Sequence, residues 1–371
     1  MGATIIIYLF LLLFTIWGAY ISSKYETKKP IGIVLGFILF IVSVIIGGRY
    51  NVGTDWENYF DLYTSILDSG ITLDGIIYSG YEPLYVTMNA LFAFFDLSPS
   101  VFFTGVALLQ FVLLCYAVEN KRMLLWVFFF FFTQLFAMTL NIQRQMIAVG
   151  FFLLATKYLD KNKIVYLLLI VCASLFHYSS IILFPLVFIN HRLFSFLEDR
   201  RIVLILFFIT LIFGSSFLGV LDLSVLDSLM NDKYLRNMEE LDIEMKVSSG
   251  LGIMAQRLMY IVSICYMPSI LNYYKSNRLS IVYRLFIVGL LLANIFEISM
   301  FLSRVPLALV SLKVLIYSYL CNYLFKSKKN TNTLTLKIFI GICFVTLSFM
   351  MLIMGIMNSD AGMSPYEFKW I

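Results

Sequence analysis

Charge is scarce in this chain of 371 residues: 13% are Asp, Glu, Lys or Arg, where soluble proteins carry about a quarter. With hydrophobic residues at 61% and a mean hydropathy of +0.91, that scarcity excludes a soluble globular chain. Proline is sparse too, 7 in all, and aromatic residues reach 17%, a balance that excludes a disordered chain. The five cysteines, Cys115, Cys172, Cys265, Cys321 and Cys343, sit inside apolar runs. They form no CxxC pair or Cys/His cluster, so neither a disulfide framework nor a metal site is indicated. No Walker or Rossmann glycine pattern, no GxSxG and no HExxH spacing occurs, which leaves ATP use, serine hydrolysis and zinc chemistry without support. The net charge of +5 points to no nucleic-acid partner, because the basic residues lie in short clusters between apolar runs. Without an internal repeat or a linker, the simplest organisation is one integral membrane domain over 1–371.

What the chain has in abundance is apolar runs. Crossing the hydrocarbon core takes about 20 apolar residues, and clear runs cover 3–22, 31–47, 100–119, 123–140, 143–159, 202–220, 251–272, 281–303, 305–324 and 335–357. The first run lacks a preceding basic residue and a cleavage site, so it reads as a retained helix. The stretch 164–190, centred on His177 and Tyr178, is long for one span and short for two; it is predicted to form a hairpin of two shorter helices. The apolar run in 82–97 is short and ends in Asp96, Ser98 and Pro99. Counting it as a span would put Lys121 and Arg122 on the opposite side from Lys24, Lys28 and Lys29, against the positive-inside rule. Residues 82–97 are predicted to lie flat at the outer interface. The expected fold is therefore an all-α polytopic membrane protein of about twelve transmembrane helices with an outer interfacial helix, and with both termini outside. Acidic residues gather on the outer side, in loops 48–81 and 221–250 and the tail 358–371.

Ionisable residues at membrane helices are costly and point to function by default. On this topology Arg49, Asp55, Arg144, His177, Arg257 and Arg304 lie near the outer helix ends. Converging arginines suit an anionic group, because the guanidinium fork matches phosphate oxygens. The loop Gly47-Gly48-Arg49-Tyr50-Asn51-Val52-Gly53-Thr54-Asp55-Trp56-Glu57-Asn58-Tyr59 offers carboxylates for sugar hydroxyls, with Trp56 or Tyr59 as a ring platform for a pyranose. Each feature has a plainer reading. Thr54 or Asp55 caps the following helix, Trp56 and Tyr59 anchor it at the interface, Asn141 to Gln145 make a solvated turn, His177 is a satisfied histidine, and Glu297 pairs with Arg304. A sugar on a polyprenyl diphosphate supplies its own leaving group, so no cofactor is needed.

These residues resemble the EpsG family of bacterial polysaccharide polymerases, a Wzy-like group. The resemblance rests on Arg49 to Trp56 with Asn58-Tyr59, on Glu82-Pro83-Leu84-Tyr85, on Arg144-Gln145, on Phe176-His177-Tyr178-Ser179 and on Ser364-Pro365-Tyr366, in order along nearly the whole chain. It implies a glycosyltransferase that joins undecaprenyl-diphosphate-linked oligosaccharide repeat units at the outer face of the cytoplasmic membrane, for exopolysaccharide, capsule or O-antigen, with no metal. A chain-length regulator and a flippase are the implied accompanying proteins. The chain also looks like the integral GT-C glycosyltransferases, although the acidic pair common there is adjacent and here Trp56 separates Asp55 from Glu57. On this reading Asp55 is the general base, Arg144, Arg257 and Arg304 bind the diphosphates, Arg49 joins that clamp or holds the loop, and His177 orients a phosphate or the acceptor. Competing readings are a transferase using a polyprenyl-phosphate sugar, a glycan ligase, and, in a different class, a lipid-linked oligosaccharide transporter.

Overall fold

The computed structural model describes residues 1–25, 31–70, 80–189, 192–218, 250–297, 302–326 and 331–371. In chain order the α-helices are α1 (Gly2–Tyr25), α2 (Ile33–Gly47), α3 (Trp56–Ser69), α4 (Pro83–Phe94), α5 (Pro99–Ala117), α6 (Leu124–Gln134), α7 (Phe136–Asn141), α8 (Gln143–Ala155), α9 (Lys163–Phe176), α10 (Arg200–Leu218), α11 (Leu251–Tyr274), α12 (Asn277–Ile295), α13 (Leu307–Ser311), α14 (Lys313–Lys326) and α15 (Thr331–Met357). Among the described residues the β-type pairing is a single antiparallel bridge between Arg49 and Phe368. Residues 71–79 of the first outer loop, 221–249 of the second, and Lys28, Lys29, Lys328 and Lys329 lie outside the described residues.

Six described stretches are long and apolar enough to cross a bilayer: Gly2–Tyr25, Pro99–Ala117, Leu251–Tyr274, Asn277–Ile295, Leu302–Lys326 and Leu334–Met357. The protein is a multi-pass helical membrane protein. The count falls short of twelve because an apolar run need not be one helix. The stretch 123–159, expected to give two spans, is interrupted at Leu135 (φ −130°) and at Ile142 (φ −94°, ψ 59°). That leaves helices of 11, 6 and 13 residues. Helix α2 has 15 residues, about 22 Å at the helical rise, and α4 has only 12, too short to span. The stretch 164–190 folds back on itself after His177: α9 is followed by a 3₁₀ segment, Tyr178–Phe188, and the Tyr166 hydroxyl donates to Leu183 O at 2.6 Å.

The chain divides into two compact units, Met1–Val187 with Tyr317–Ile371, and Phe188–Ile316. In the first, neighbouring helices follow the order α6, α1, α2, α5, α8, α9, with α15 on α6 and with α4 against α3 and α9. Helix α1 shows how the sequence sorts itself. Tyr8, Leu11, Leu12, Thr15 and Ala19 face inward, while Ile6, Phe10, Leu13 and Trp17 remain exposed. An exposed apolar stripe of this kind is a liability in water and an ordinary surface in lipid. Small residues let helices approach closely: a Cβ on Gly47 would lie 2.6 Å from Ser100 O, so α2 and α5 meet backbone to backbone there.

The two ends of the first unit differ in chemistry. At one end Lys157 Nζ donates to Tyr116 O at 2.7 Å and Lys161 pairs with Glu119 at 3.0 Å, near the 3₁₀ turn Lys121–Met123. At the other end the tail returns across the mouth of the bundle. Tyr50 N donates to Glu367 O at 2.9 Å, Lys369 N to Gly48 O at 2.8 Å, and Ser100 N to Ile371 O at 3.0 Å. The Tyr8 hydroxyl donates to Met363 O at 2.8 Å and the Tyr366 hydroxyl to Ile45 O at 2.5 Å. The start of α1, the end of α2, the start of α5 and the tail thus share one end, the end that holds the polar cluster described next.

In the second unit α12 packs on α10, α11 and α13. Within it Arg284 forks onto Glu198 at 2.7 and 2.9 Å, and Asn294 Nδ2 donates to Thr210 Oγ1 at 3.0 Å.

Candidate functional site

Three separate segments deliver a buried charge cluster to the tail end of the first unit. Glu82 precedes Pro83, which starts α4; proline suits that position because its missing N–H would be unsatisfied there anyway. The carboxylate does not cap its own helix. It turns instead to α8 and to the turn after α9. Arg144 Nη1 donates to Glu82 Oε2, His177 Nδ1 lies 2.9 Å from Oε1, and the Tyr178 backbone N–H reaches the same oxygen at 3.4 Å. Glu82 is 1% exposed, while Arg144 and His177 are 24% and 20% exposed, so the acid is the floor and the two bases are the rim. Burial pushes the Glu82 carboxyl up, but the His177 hydrogen bond, the charge of Arg144 and that of His177 when protonated outweigh it and hold the group below its ordinary range. A buried carboxylate with partners on both oxygens stays ionised and locks those partners in place.

Arg144 is further fixed by two rings. Its guanidinium carbon lies 4.9 Å from the Tyr81 ring centre and 6.0 Å from that of Tyr59, a cation–π arrangement that favours a planar guanidinium over an ammonium. Tyr59 is buried and meets Tyr85 edge-on at 5.7 Å. The turn just before Arg144 is tied to the first loop: Asn141 Oδ1 accepts from the Thr54 hydroxyl and, at 2.9 Å, from the Asp55 backbone N–H. Gly53 makes that approach possible. Its φ of +102° suits a residue without a side chain, and a Cβ there would lie 2.6 Å from Leu140 O.

The sequence-predicted residues divide by position. Arg144 and His177 come together through Glu82. Asp55 begins α3 with a part-exposed side chain whose carboxylate makes no cap, so the capping reading does not describe it. Arg49 is 2% exposed and donates to Ile46 O at 2.9 Å and Val52 O at 3.2 Å, with its guanidinium 5.0 Å from the Phe103 ring centre. Of the two roles expected of Arg49, this geometry is that of a residue holding the loop. Burial lowers its basicity. Trp56 was expected as an open ring platform and is not one: it is buried between Phe60 at 4.9 Å and Tyr50 at 5.1 Å, with Phe103 at 6.2 Å. Tyr59 is likewise a packed ring, and the part-exposed aromatic at the cluster is Tyr81. Spacing along a helix gives ring type, whereas which face is open depends on α5, contributed from elsewhere in the chain.

In the second unit Arg257 Nη2 contacts both oxygens of Glu297 at 2.7 and 2.9 Å. Sequence spacing had offered Arg304 for Glu297 and left Arg257 without a carboxylate. Arg304 ends a short 3₁₀ segment, Leu302–Arg304. Glu82, Tyr81 and Asn141 were not among the expected site residues. For Glu82 a local signal existed: an acid directly before the proline that opens a short apolar helix, where a free side chain at the helix start is normally a serine, threonine or aspartate.

Among the described residues no group of three or more His, Cys, Asp or Glu has the grouping of a metal site. The cluster offers instead a fixed guanidinium, an oriented imidazole and a nearby free carboxylate, a set suited to anion binding and proton transfer. No curated protein and no solved structure matches the chain. A sequence model of the EpsG family matches residues 32–368, which takes in the first loop, the Glu82 cluster, the second unit and most of the tail, and leaves out α1. The chain belongs to the EpsG family, a family of Wzy-like polysaccharide polymerases.

Proposed function

We propose that this protein polymerises an extracellular, capsular or O-antigen-type polysaccharide by joining oligosaccharide repeat units carried on undecaprenyl diphosphate, at the outer face of the bacterial cytoplasmic membrane. Family membership supports the reaction class. The observation that carries the site is the Glu82 carboxylate gathering Arg144 and His177 from two other segments at the end of the bundle away from Lys157 and Lys161. The positive-inside rule assigns the lysine end to the cytoplasm, which puts the cluster, the start of α1 and the tail outside.

In this reading a hydroxyl of one repeat unit attacks the anomeric carbon of the sugar at the reducing end of the growing chain, and undecaprenyl diphosphate leaves. Arg144 meets the diphosphate. Its guanidinium is held by Glu82 and Tyr81 before substrate arrives, so little reorganisation is needed as charge develops on the leaving oxygen. In the second unit Arg257 and Arg304 are proposed as diphosphate contacts; in the first, Arg49 is proposed as the residue that shapes the loop beneath the site, and Asp55 as a contact to sugar hydroxyls. Trp56 and Tyr59 support the site from below. The short helix α4, with Glu82 at its start, suits lateral entry of a lipid-borne substrate.

The test is a profile of glycan and lipid-linked intermediates in a deletion strain, complemented with the wild-type gene or with Arg144→Ala. Loss of long polymer with a single complete repeat accumulating on undecaprenyl diphosphate is the expected result. A truncated repeat would indicate a single-sugar transferase, and unchanged glycans would remove the polymerase reading.

A further inference from the structure

We infer that His177 is the general base of the glycosyl transfer and that Glu82 is its positioning residue, acting through Nδ1. This deepens the polymerase reading and rests on it.

The geometry fixes the tautomer. An ionised carboxylate only accepts hydrogen bonds, and Glu82 Oε1 faces His177 Nδ1 at 2.9 Å. The shared proton therefore belongs to Nδ1, and in the neutral ring Nε2 carries the lone pair. The backbone holds this arrangement from both sides: the His177 N–H donates to Ala173 O at 2.9 Å, ending α9, and the Ser180 N–H donates to His177 O at 3.0 Å, starting the 3₁₀ segment. The ring is thus fixed at a chain reversal, partly exposed, above an acid that is 1% exposed. Among the described residues, no such orienting partner holds the carboxylate of Asp55, the base expected from the sequence.

The step balances within the cluster. The acceptor hydroxyl oxygen forms the new bond to the anomeric carbon while its proton passes to His177 Nε2. The bond from that carbon to the diphosphate oxygen breaks, and its electron pair leaves with the diphosphate. Glu82, Arg144 and a neutral His177 sum to zero charge before the step and to one positive charge after it. The imidazolium forms against the Glu82 carboxylate, and the cluster gains its positive charge as the leaving group gains negative charge. The proton then returns to water or to the released diphosphate.

The experiment uses the full-length protein in two readouts. The chain has 2 histidines, so histidine labelled with nitrogen-15 in nanodiscs gives two ring systems, and His177→Gln identifies the one at the site. The expected spectrum shows neutral His177 protonated at Nδ1, with Glu82→Gln shifting the proton towards Nε2; a ring already protonated at Nε2 in the wild type overturns the inference. In cells of the deletion strain, His177→Gln keeps a donor for Glu82 but has no nitrogen that accepts a proton. It should accumulate normally and slow polymer formation by about 10²-fold or more. If Glu82→Gln does not accumulate, His177→Gln decides alone. Long polymer from His177→Gln in a strain whose deletion abolishes polymer overturns the base while leaving the polymerase reading standing. Unchanged polymer on deletion overturns the reading on which the inference rests.

Discussion

Asn141 and Asp55, 86 positions apart, are joined by a hydrogen bond of 2.9 Å from the Asp55 backbone N–H to the Asn141 side-chain oxygen, and the same oxygen accepts from Thr54. A residue at the turn before Arg144 thereby sets where the loop bearing Asp55 begins its helix.

Asn141→Ala should leave the Asp55 N–H and the Thr54 hydroxyl without that acceptor, at a cost of about 1–3 kcal/mol. The expected outcome is a lower thermal midpoint in detergent together with reduced polymer. Asn141→Asp, which keeps an acceptor oxygen, should recover most of both.

Arg144→Lys keeps the charge and loses the planar fork that reaches Glu82 while lying over Tyr81. Chain growth should fall by about 10²-fold or more with the protein still in the membrane. Arg144→Ala should in addition cost about 3–5 kcal/mol of stability, because it removes one of the two side-chain partners of the buried Glu82 carboxylate. Thermal midpoints of the two variants, measured beside their polymer yields, separate the effects.

The direction of the Glu82 shift sets a pH dependence. Its carboxyl is held below the ordinary 4.5 in the folded protein. The unfolded chain therefore binds the proton more readily, and the stabilisation is complete above that ordinary value and lost as pH falls through the lower folded one. Unfolding followed from neutral into acid should show this loss in the wild type, and Glu82→Gln should flatten it. An equal acid slope in the variant would assign the loss to other carboxylates.

Much of the helical, multi-pass character is legible in the sequence because hydropathy acts over long windows. The runs at α1, α5, α11, α12 and α15 are helices long enough to cross, and α4 is too short to do so, in line with an interfacial place. The breaks at Leu135 and Ile142 were not legible, since both residues are apolar and only their dihedrals depart from the helix. The site was half legible. Arg144 and His177 stand out as ionisable residues in apolar surroundings, but the carboxylate that joins them lies 62 positions from one and 95 from the other. Trp56 and Tyr59 were misplaced for a related reason. Their alternation marks one helix face, and which face is buried is decided by Phe103 and Tyr85, in other helices.

Tyr366→Phe removes one hydrogen bond, that from the hydroxyl to Ile45 O. A loss of about 1 kcal/mol is expected, read as a lowered thermal midpoint. Polymer yield should fall by less than in Arg144→Lys, because the change touches the tail and not the Glu82 cluster. A loss of polymer as deep as that of Arg144→Lys would place the tail in substrate handling.

The Tyr366 to Ile45 bond joins partners 321 residues apart in sequence, and the Arg49 to Phe368 bridge lies beside it. At roughly 5–20 residues per second of synthesis, the first loop leaves the ribosome on the order of 16 s to a minute before its partner strand exists. The early helices must therefore wait in the bilayer with Gly48 and Tyr50 without these partners, and a chain interrupted before residues 366–369 are made carries an open loop beside the helices already formed. Closing of the first loop is thus set by residues made hundreds of positions later rather than by its own sequence neighbours.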